Sequence, residues 1–451
     1  MSEDASGTDT SVSPVPPPVP PPVDEASAAA LQRHRERMRR PRLIYAAVVT
    51  ALVAVLVGVT VAAWSSGESN NSTLRTASSP PGDLALASPV AAPVRSWQQD
   101  ATAAIGQPQW GGTVIVHDRR GVRGVDAQTG ATTWSYVRSD RTVCTVAQLG
   151  GVAMAVFRLR GNCDQVAGFD ARTGARKWTR TLDFDGMPVT GTPQFDTSAQ
   201  GSFGTLLIRT SSVIYALDPS SGLNRWTYAR YGCDITGMAL GSSGALISQT
   251  CSSKVVCPQG EEHCGAGVQL LLRDPYQGRD TTAQPKNPDR ITWDLIGTDA
   301  VPVSAGSLVS ALDTRGVLLQ LDAQDGGTVA RTTLDPVPSR PVTVTSTDAG
   351  DAQLVSIGDQ TLAIDPGRAA PLWRRTGTAA ATVVARSPLE TPTLATARVT
   401  VPSGARAETV DARTGRVSAT SSLPGATAGD LVYPLGQGFL VARAGSVAGY
   451  A

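Results

Sequence analysis

The chain has 451 residues and a formal net charge of +1, and Lys177, Lys254 and Lys286 are the only lysines among its 39 basic residues. Near-neutral charge and 5% aromatic residues provide no basic field of the kind that holds nucleic acid, which excludes nucleic acid as a partner. The length admits either two or three ordinary domains or one large domain with non-globular segments, and the Arg bias with abundant Ala, Gly and Val fits a GC-rich genome such as an actinobacterium's.

In chain order, residues 1–42 are predicted to form a disordered cytoplasmic tail. Its SVSPVPPPVPPPVDE stretch favours polyproline II and lacks the apolar periodicity of a core. A plain solvated tail is the first reading, and a ligand for a proline-recognising domain the second. Residues Leu43 to Trp64 are 22 consecutive uncharged, mostly apolar residues. At about 1.5 Å per residue they can cross a hydrocarbon layer about 30 Å thick. Arg33, Arg35, Arg37, Arg39, Arg40 and Arg42 precede them, and no further Lys or Arg occurs until Arg75, so the N-terminus is expected inside and the rest outside. The segment is therefore expected to be an uncleaved signal anchor in the cytoplasmic membrane, with a cleaved signal peptide as the alternative. Residues 65–90, rich in Ser, Thr, Asn and Pro, read as a flexible extracytoplasmic stalk.

Residues 91–451 carry a repeat. Aligning on an Asp gives GVDAQTG at Asp126, GFDARTG at Asp170, ALDPSSG at Asp218, LRDPYQG at Asp274, QLDAQDG at Asp322, AIDPGRA at Asp365 and TVDARTG at Asp411. The spacings are 44, 48, 56, 48, 43 and 46, in the range of propeller blades. Runs such as GTLLIRTSSVIYALD (Gly204 to Asp218) are short β-rich segments divided by turn signals, and no helical period is sustained beyond residue 100. Asp with Gly four residues on, as at Gly130, Gly174, Gly222 and Gly415, is expected to be a hairpin turn: the carboxylate accepts backbone N–H groups and Gly takes a positive φ. The Trp eight residues beyond the Asp (Trp134, Trp178, Trp226 and Trp373) falls on the next strand, where a flat ring suits packing between sheets. Thr282, Ala330 and Ala419 replace it elsewhere.

These residues resemble the pyrroloquinoline-quinone-like propeller repeat of quinoprotein alcohol dehydrogenases, also found in the cofactor-free assembly-factor lipoprotein of Gram-negative outer membranes. Ala216, Asp218, Gly222 and Trp226 meet its Ala-x-Asp-x-x-x-Gly-x-x-x-Trp motif in full, and Gly124 and Gly168 replace the Ala in two otherwise complete copies. The resemblance implies an all-β propeller. The tail Gly438 to Ala451 stops where an eighth Asp would fall, and Val94 to Gln98 with Trp97 matches the missing last strand. Pairing of the two closes an eight-bladed ring and hides both edges; seven blades is the runner-up.

Six cysteines follow the apolar segment, an even number that reads as three disulfides in an oxidising compartment. The repeat favours Cys144 with Cys163, Cys233 with Cys251 across a GSSG turn, and Cys257 with Cys264. Cys233 with Cys264 and Cys251 with Cys257 is the alternative. The dehydrogenase reading requires a quinone, Ca²⁺ and a carboxylate base, but the sequence has neither an adjacent Cys pair nor Cys-x-x-Cys-His, and the motif Asp residues serve turns in that family. His34, His117 and His263 are the only histidines, too scattered for a metal site or triad. No catalytic, cofactor or metal residue is therefore expected. The expected function is a non-catalytic binding scaffold for a cell-envelope protein, peptide or glycan, reached first through the Cys251 to Cys264 insertion and the Asp274 to Arg290 connection. A quinone-dependent dehydrogenase and an extracytoplasmic sensor signalling through a cytoplasmic partner are the alternatives.

Overall fold

The computed structural model of the protein describes residues 45, 47–57, 59, 68–84, 89–106, 112–149, 151–159, 161–184, 187–188, 194–196, 205–256, 265–274, 289–294, 300–324, 326–339, 342–349, 352–378, 382–383, 398–427 and 429–451. The chain divides into two compact units, 1–70 and 71–451. In the first, the described residues between 45 and 59 are helical and expose their apolar side chains, among them Tyr45, Leu52 and Leu56. Among the described residues no helix is long and apolar enough to cross a membrane. The rest of the expected anchor, 43–64, lies outside them.

The second unit is an all-β propeller of eight antiparallel sheets. Blade 1 opens with Thr102–Ala103 and continues through Thr113–His117 and Gly121–Asp126 to Thr132–Arg138; blade 2 runs from Thr142–Leu149 to Arg176–Thr181. Blade 3 spans Gln194–Asp196 to Asn224–Tyr228, blade 4 Cys233–Gly241 to Asp289–Asp294, and blade 5 Ala300–Ala305 to Thr328–Thr333. Blade 6 spans Val344–Asp348 to Ala370–Thr376 and blade 7 Thr382–Val383 to Val417–Ser422. From blade 3 to blade 8 the first strands of successive blades touch one another, which places them nearest the common axis. A two-stranded ribbon, Asp183–Phe184 with Met187–Pro188, follows blade 2.

The middle strands of each blade are buried on both faces, so they read as continuous apolar runs: Leu206–Arg209 and Ile214–Leu217 alternate in direction but not in polarity. The core is accordingly eight wedges, one between each pair of neighbouring sheets. In blade 2, Met154 and Val156 face blade 3, while Ala153, Ala155 and Phe157 face blade 1. Arg138 is almost fully buried beside the blade 1–2 wedge, where its guanidinium donates to both carboxylate oxygens of Asp140 at 2.8 Å.

Blade 8 is built from both ends of the propeller sequence. Leu431–Leu435, Gly438–Arg443 and Ser446–Tyr450 receive Arg95–Gln99 as their outermost strand, with Arg95 opposite Tyr450 and Trp97 opposite Gly449. This is the expected closure, and it gives eight blades rather than seven.

The propeller begins earlier than the stalk boundary at 90 allows. Ser72–Arg75 pairs with Thr132–Arg138 as a fifth strand on blade 1. Beyond it, Ala77 N–H donates to Thr173 O at 2.9 Å, Val90 N–H donates to Gln437 O at 3.0 Å, and Ala91 O accepts from Ser422 N–H at 2.8 Å. Residues 71–84 and 89–94 thus form a strap across blades 1, 2, 7 and 8. Their Ser and Thr content reads as linker, yet edge pairing satisfies the backbone whatever the side chains are.

Candidate functional site

The repeat residues assemble into one clasp used again and again. At Asp126 the carboxylate Oδ1 accepts from Gln128 N–H at 2.9 Å and from Thr129 N–H at 2.8 Å, and Gly130 takes φ +70°. Asp170, Asp218 and Asp411 repeat this arrangement with Gly174, Gly222 and Gly415. Asp322 accepts from Gln324 N–H at 2.6 Å and Asp365 from Gly367 N–H at 2.8 Å. Asp274 directly follows the strand Gly267–Arg273, and the rest of that copy, 275–288, lies outside the described residues. Burial would raise the pKa of Asp218, but hydrogen bonds from Ser220, Arg225 and Ser221 outweigh it and hold the carboxyl well below the usual range.

The tryptophans join neighbouring blades. Trp134 Nε1–H donates to Ala171 O at 2.9 Å, Trp178 to Pro219 O at 2.8 Å, Trp373 to Ala412 O at 2.8 Å, and Trp97 to Ala127 O at 2.9 Å. Each acceptor directly follows the motif Asp of the next blade. Each ring also lies on that blade's motif glycine: a Cβ on Gly174 would meet the Trp134 ring at 2.5 Å, and one on Gly415 the Trp373 ring at 2.7 Å. Where the preceding blade has Ala330 in place of the Trp, the glycine position holds Ala369, at φ +53°. With no ring above it, a methyl group fits. Trp226 also lies against the buried Arg273 guanidinium, 5.2 Å from the ring centroid.

These groups hold turns and join neighbouring blades. Among the described residues no three His, Cys, Asp or Glu side chains converge as a metal site. His117 sits on a strand of blade 1, where burial lowers its pKa. Two disulfides are present, Cys144–Cys163 and Cys233–Cys251, bridging residues 19 and 18 apart, so neither is the adjacent-cysteine kind. Cys257 and Cys264 lie outside the described residues. Ca²⁺ beside a quinone would need several oxygen ligands, and the described residues bring no three carboxylate, His or Cys side chains together.

The surface that stands out is at the blade 3–4 junction, at the root of the stapled insertion. Cys233–Cys251 pins the first hairpin of blade 4, with Cα atoms 4.0 Å apart. Above it Ser252 N–H donates to Gly232 O at 2.8 Å, and Val256 N–H to Tyr231 O at 3.4 Å. Gly232, at φ +80°, lets the insertion approach: a Cβ there would meet Val255 N at 2.7 Å. The outcome is a pinned platform carrying Tyr231, 73% exposed, and Val256, 63% exposed, with Lys254 between the chain turns. The insertion was legible as an excess of residues in the longest repeat interval, but the exposure of Tyr231 was not, since an aromatic beside a Cys reads equally well as core. A second feature, an open cleft of about 270 Å³, lies between the strap (Pro81 to Leu84) and Gly112, Asp126 and Gln128 of blade 1.

The model of the family described as outer membrane protein assembly factor BamB matches residues 94–257. None of the curated proteins matches the sequence. Among solved structures, BamB from Moraxella catarrhalis is similar at 18% identity, covering 79% of this chain and 99% of that one, with a TM-score of 0.45. The quinohemoprotein alcohol dehydrogenase ADHIIG from Pseudomonas putida HK5 is similar at 10% identity over 79% and 76%, TM-score 0.43. The computationally designed Ika8 protein is similar at 10% identity over 80% and 99%, with a TM-score of 0.51, a likeness of fold alone. The chain is an eight-bladed β-propeller, of which residues 94–257 match the model of the BamB family.

Proposed function

We propose that the propeller is a non-catalytic binding module, displayed outside the cytoplasmic membrane by residues 43–64, that engages a protein or peptide of the cell envelope through the Tyr231–Val256 platform. The observation that carries this reading is the platform itself: an exposed aromatic and an exposed aliphatic residue on a disulfide-pinned base. Tyr has little side-chain entropy to lose and is enriched where binding energy concentrates. The two disulfides favour an oxidising compartment, and the exposed apolar side chains of the helical residues described between 45 and 59 suit a lipid surrounding. The name of the matching family model, an assembly factor, is in keeping with a binding role.

The test uses the full chain in its native membrane with a photo-crosslinking residue at position 231, 256 or, as a control on the outer strand of blade 7, 417. The expected result is one discrete adduct from 231 and 256, absent at 417, and lost in Tyr231→Ala/Val256→Ser while the unfolding midpoint is unchanged. Addition of quinone and Ca²⁺ to the purified chain is expected to give no stoichiometric chromophore. A bound chromophore with dye-linked alcohol oxidation would overturn the reading.

A further inference from the structure

The clasp is missing between blades 5 and 6, and its place is taken by polar side chains. In blade 1 the second, third and fourth strands set Ile115, Gly124 and Trp134 side by side. Blade 6 repeats the pattern with Leu354, Ala363 and Trp373. The corresponding row in blade 5 is Ser310, Gln320 and Ala330, with Ser304 next to Ser310 on the first strand. A Ser stands for a residue of leucine size, a Gln for a Gly or Ala, and the ring is gone.

This row faces blade 6. Leu312 and Leu318, two residues from Ser310 and Gln320 and so on the same side of the sheet, pack with Val355, Ile357 and Leu362 of blade 6. From blade 6, Gln353 Nε2–H donates to Ser304 Oγ and to Leu308 O. Ser310, Gln320 and Gln353 are all 0% exposed. Among the described residues, Ser310 Oγ, both amide atoms of Gln320 and Gln353 Oε1 have no hydrogen-bond partner. Four such atoms in one seam are unusual, because burying a polar group without a partner is costly and protein interiors avoid it.

We propose that this seam is a hydration site, in which ordered water bridges Ser310 Oγ, the Gln320 amide and Gln353 Oε1. A buried water needs two to four polar partners. The seam offers donors in the Ser310 hydroxyl and Gln320 Nε2, and acceptors in Gln320 Oε1 and Gln353 Oε1. The smaller side chains of the blade 5 row leave volume that a tryptophan fills elsewhere. The joint between blades 5 and 6 is thus wet where the joints closed by Trp97, Trp134, Trp178 and Trp373 are dry.

A crystal structure of the full chain, at a resolution that shows ordered solvent, tests this directly. Water within hydrogen-bond distance of Ser310 Oγ and of the Gln320 amide is the expected result. Density in which these atoms bond directly to protein groups, with no solvent between them, overturns the proposal. The near-isosteric double variant Ser310→Ala/Gln320→Met is expected to lose that water and keep the same eight blades. Water persisting at the same place in this variant would show that other groups hold it, and would overturn the assignment to this row.

Discussion

Gly174 answers two demands at once, and the structure separates them. Its φ of +72° is one a residue with a Cβ adopts at a cost of about 1–2 kcal/mol. Its close approach to Trp134, with ring atoms 2.5 and 2.6 Å from where a Cβ would stand, adds an overpacking cost of about 1–3 kcal/mol, because that ring is buried and fixed by its bond to Ala171 O. Gly174→Ala is therefore expected to destabilise the propeller by about 2–5 kcal/mol. Ala369 provides the internal comparison, since it holds the same turn position at φ +53° with no tryptophan above it. Ala369→Gly relieves only the backbone term, offset by the extra freedom glycine has when unfolded, and is expected to change stability by less than about 1 kcal/mol. Urea unfolding followed by tryptophan fluorescence measures both variants. If Gly174→Ala costs no more than the backbone term alone, the ring contact contributes nothing and the account of the clasp is refuted.

Trp97→Ala removes the closing clasp and is expected to cost about 3–5 kcal/mol and to increase proteolysis within Arg95–Gln99. Cys144→Ser/Cys163→Ser opens a loop of 19 residues and is expected to remove about 3 kcal/mol, read as a lower thermal midpoint without loss of strand content. The hydrogen bonds from Arg138 hold Asp140 below the ordinary carboxylate range. Such a carboxylate contributes stability above its unfolded pKa of about 3.9 and loses it as pH falls through that value toward the folded one. Stability is expected to fall below about pH 4, and Asp140→Asn to flatten that limb of the unfolding midpoint measured against pH.

The fold was legible because its repeat is written in residues with a single structural use. Asp at a turn, Gly where φ is positive and Trp eight residues beyond the Asp keep their spacing while everything between them varies, so phase, blade boundaries and even the borrowed strand around Trp97 could be read in advance. The strap was not legible. Ser72–Arg75 joins blade 1 through backbone groups that every sequence possesses, and no side-chain pattern announces such an edge. Gln320 was hidden for a different reason: one polar residue in GVLLQLD reads as an outward-facing position, and only the register opposite Ser310 and Ala330 shows that it points into a seam. At Tyr231 the side-chain chemistry was readable but its exposure was not, because that depends on how the insertion folds back over Gly232.

Blade 8 sets an order of events for making the protein. Its outermost strand, Arg95–Gln99, is synthesised long before Ser446–Tyr450, the strand it must pair with. Throughout synthesis of the seven intervening blades that early strand has no partner, and the apolar wedge between blades 8 and 1 stays open. The ring can form only after the last strand emerges. The waiting edge is therefore where a chaperone would have to act, and where two unfinished chains would first exchange strands.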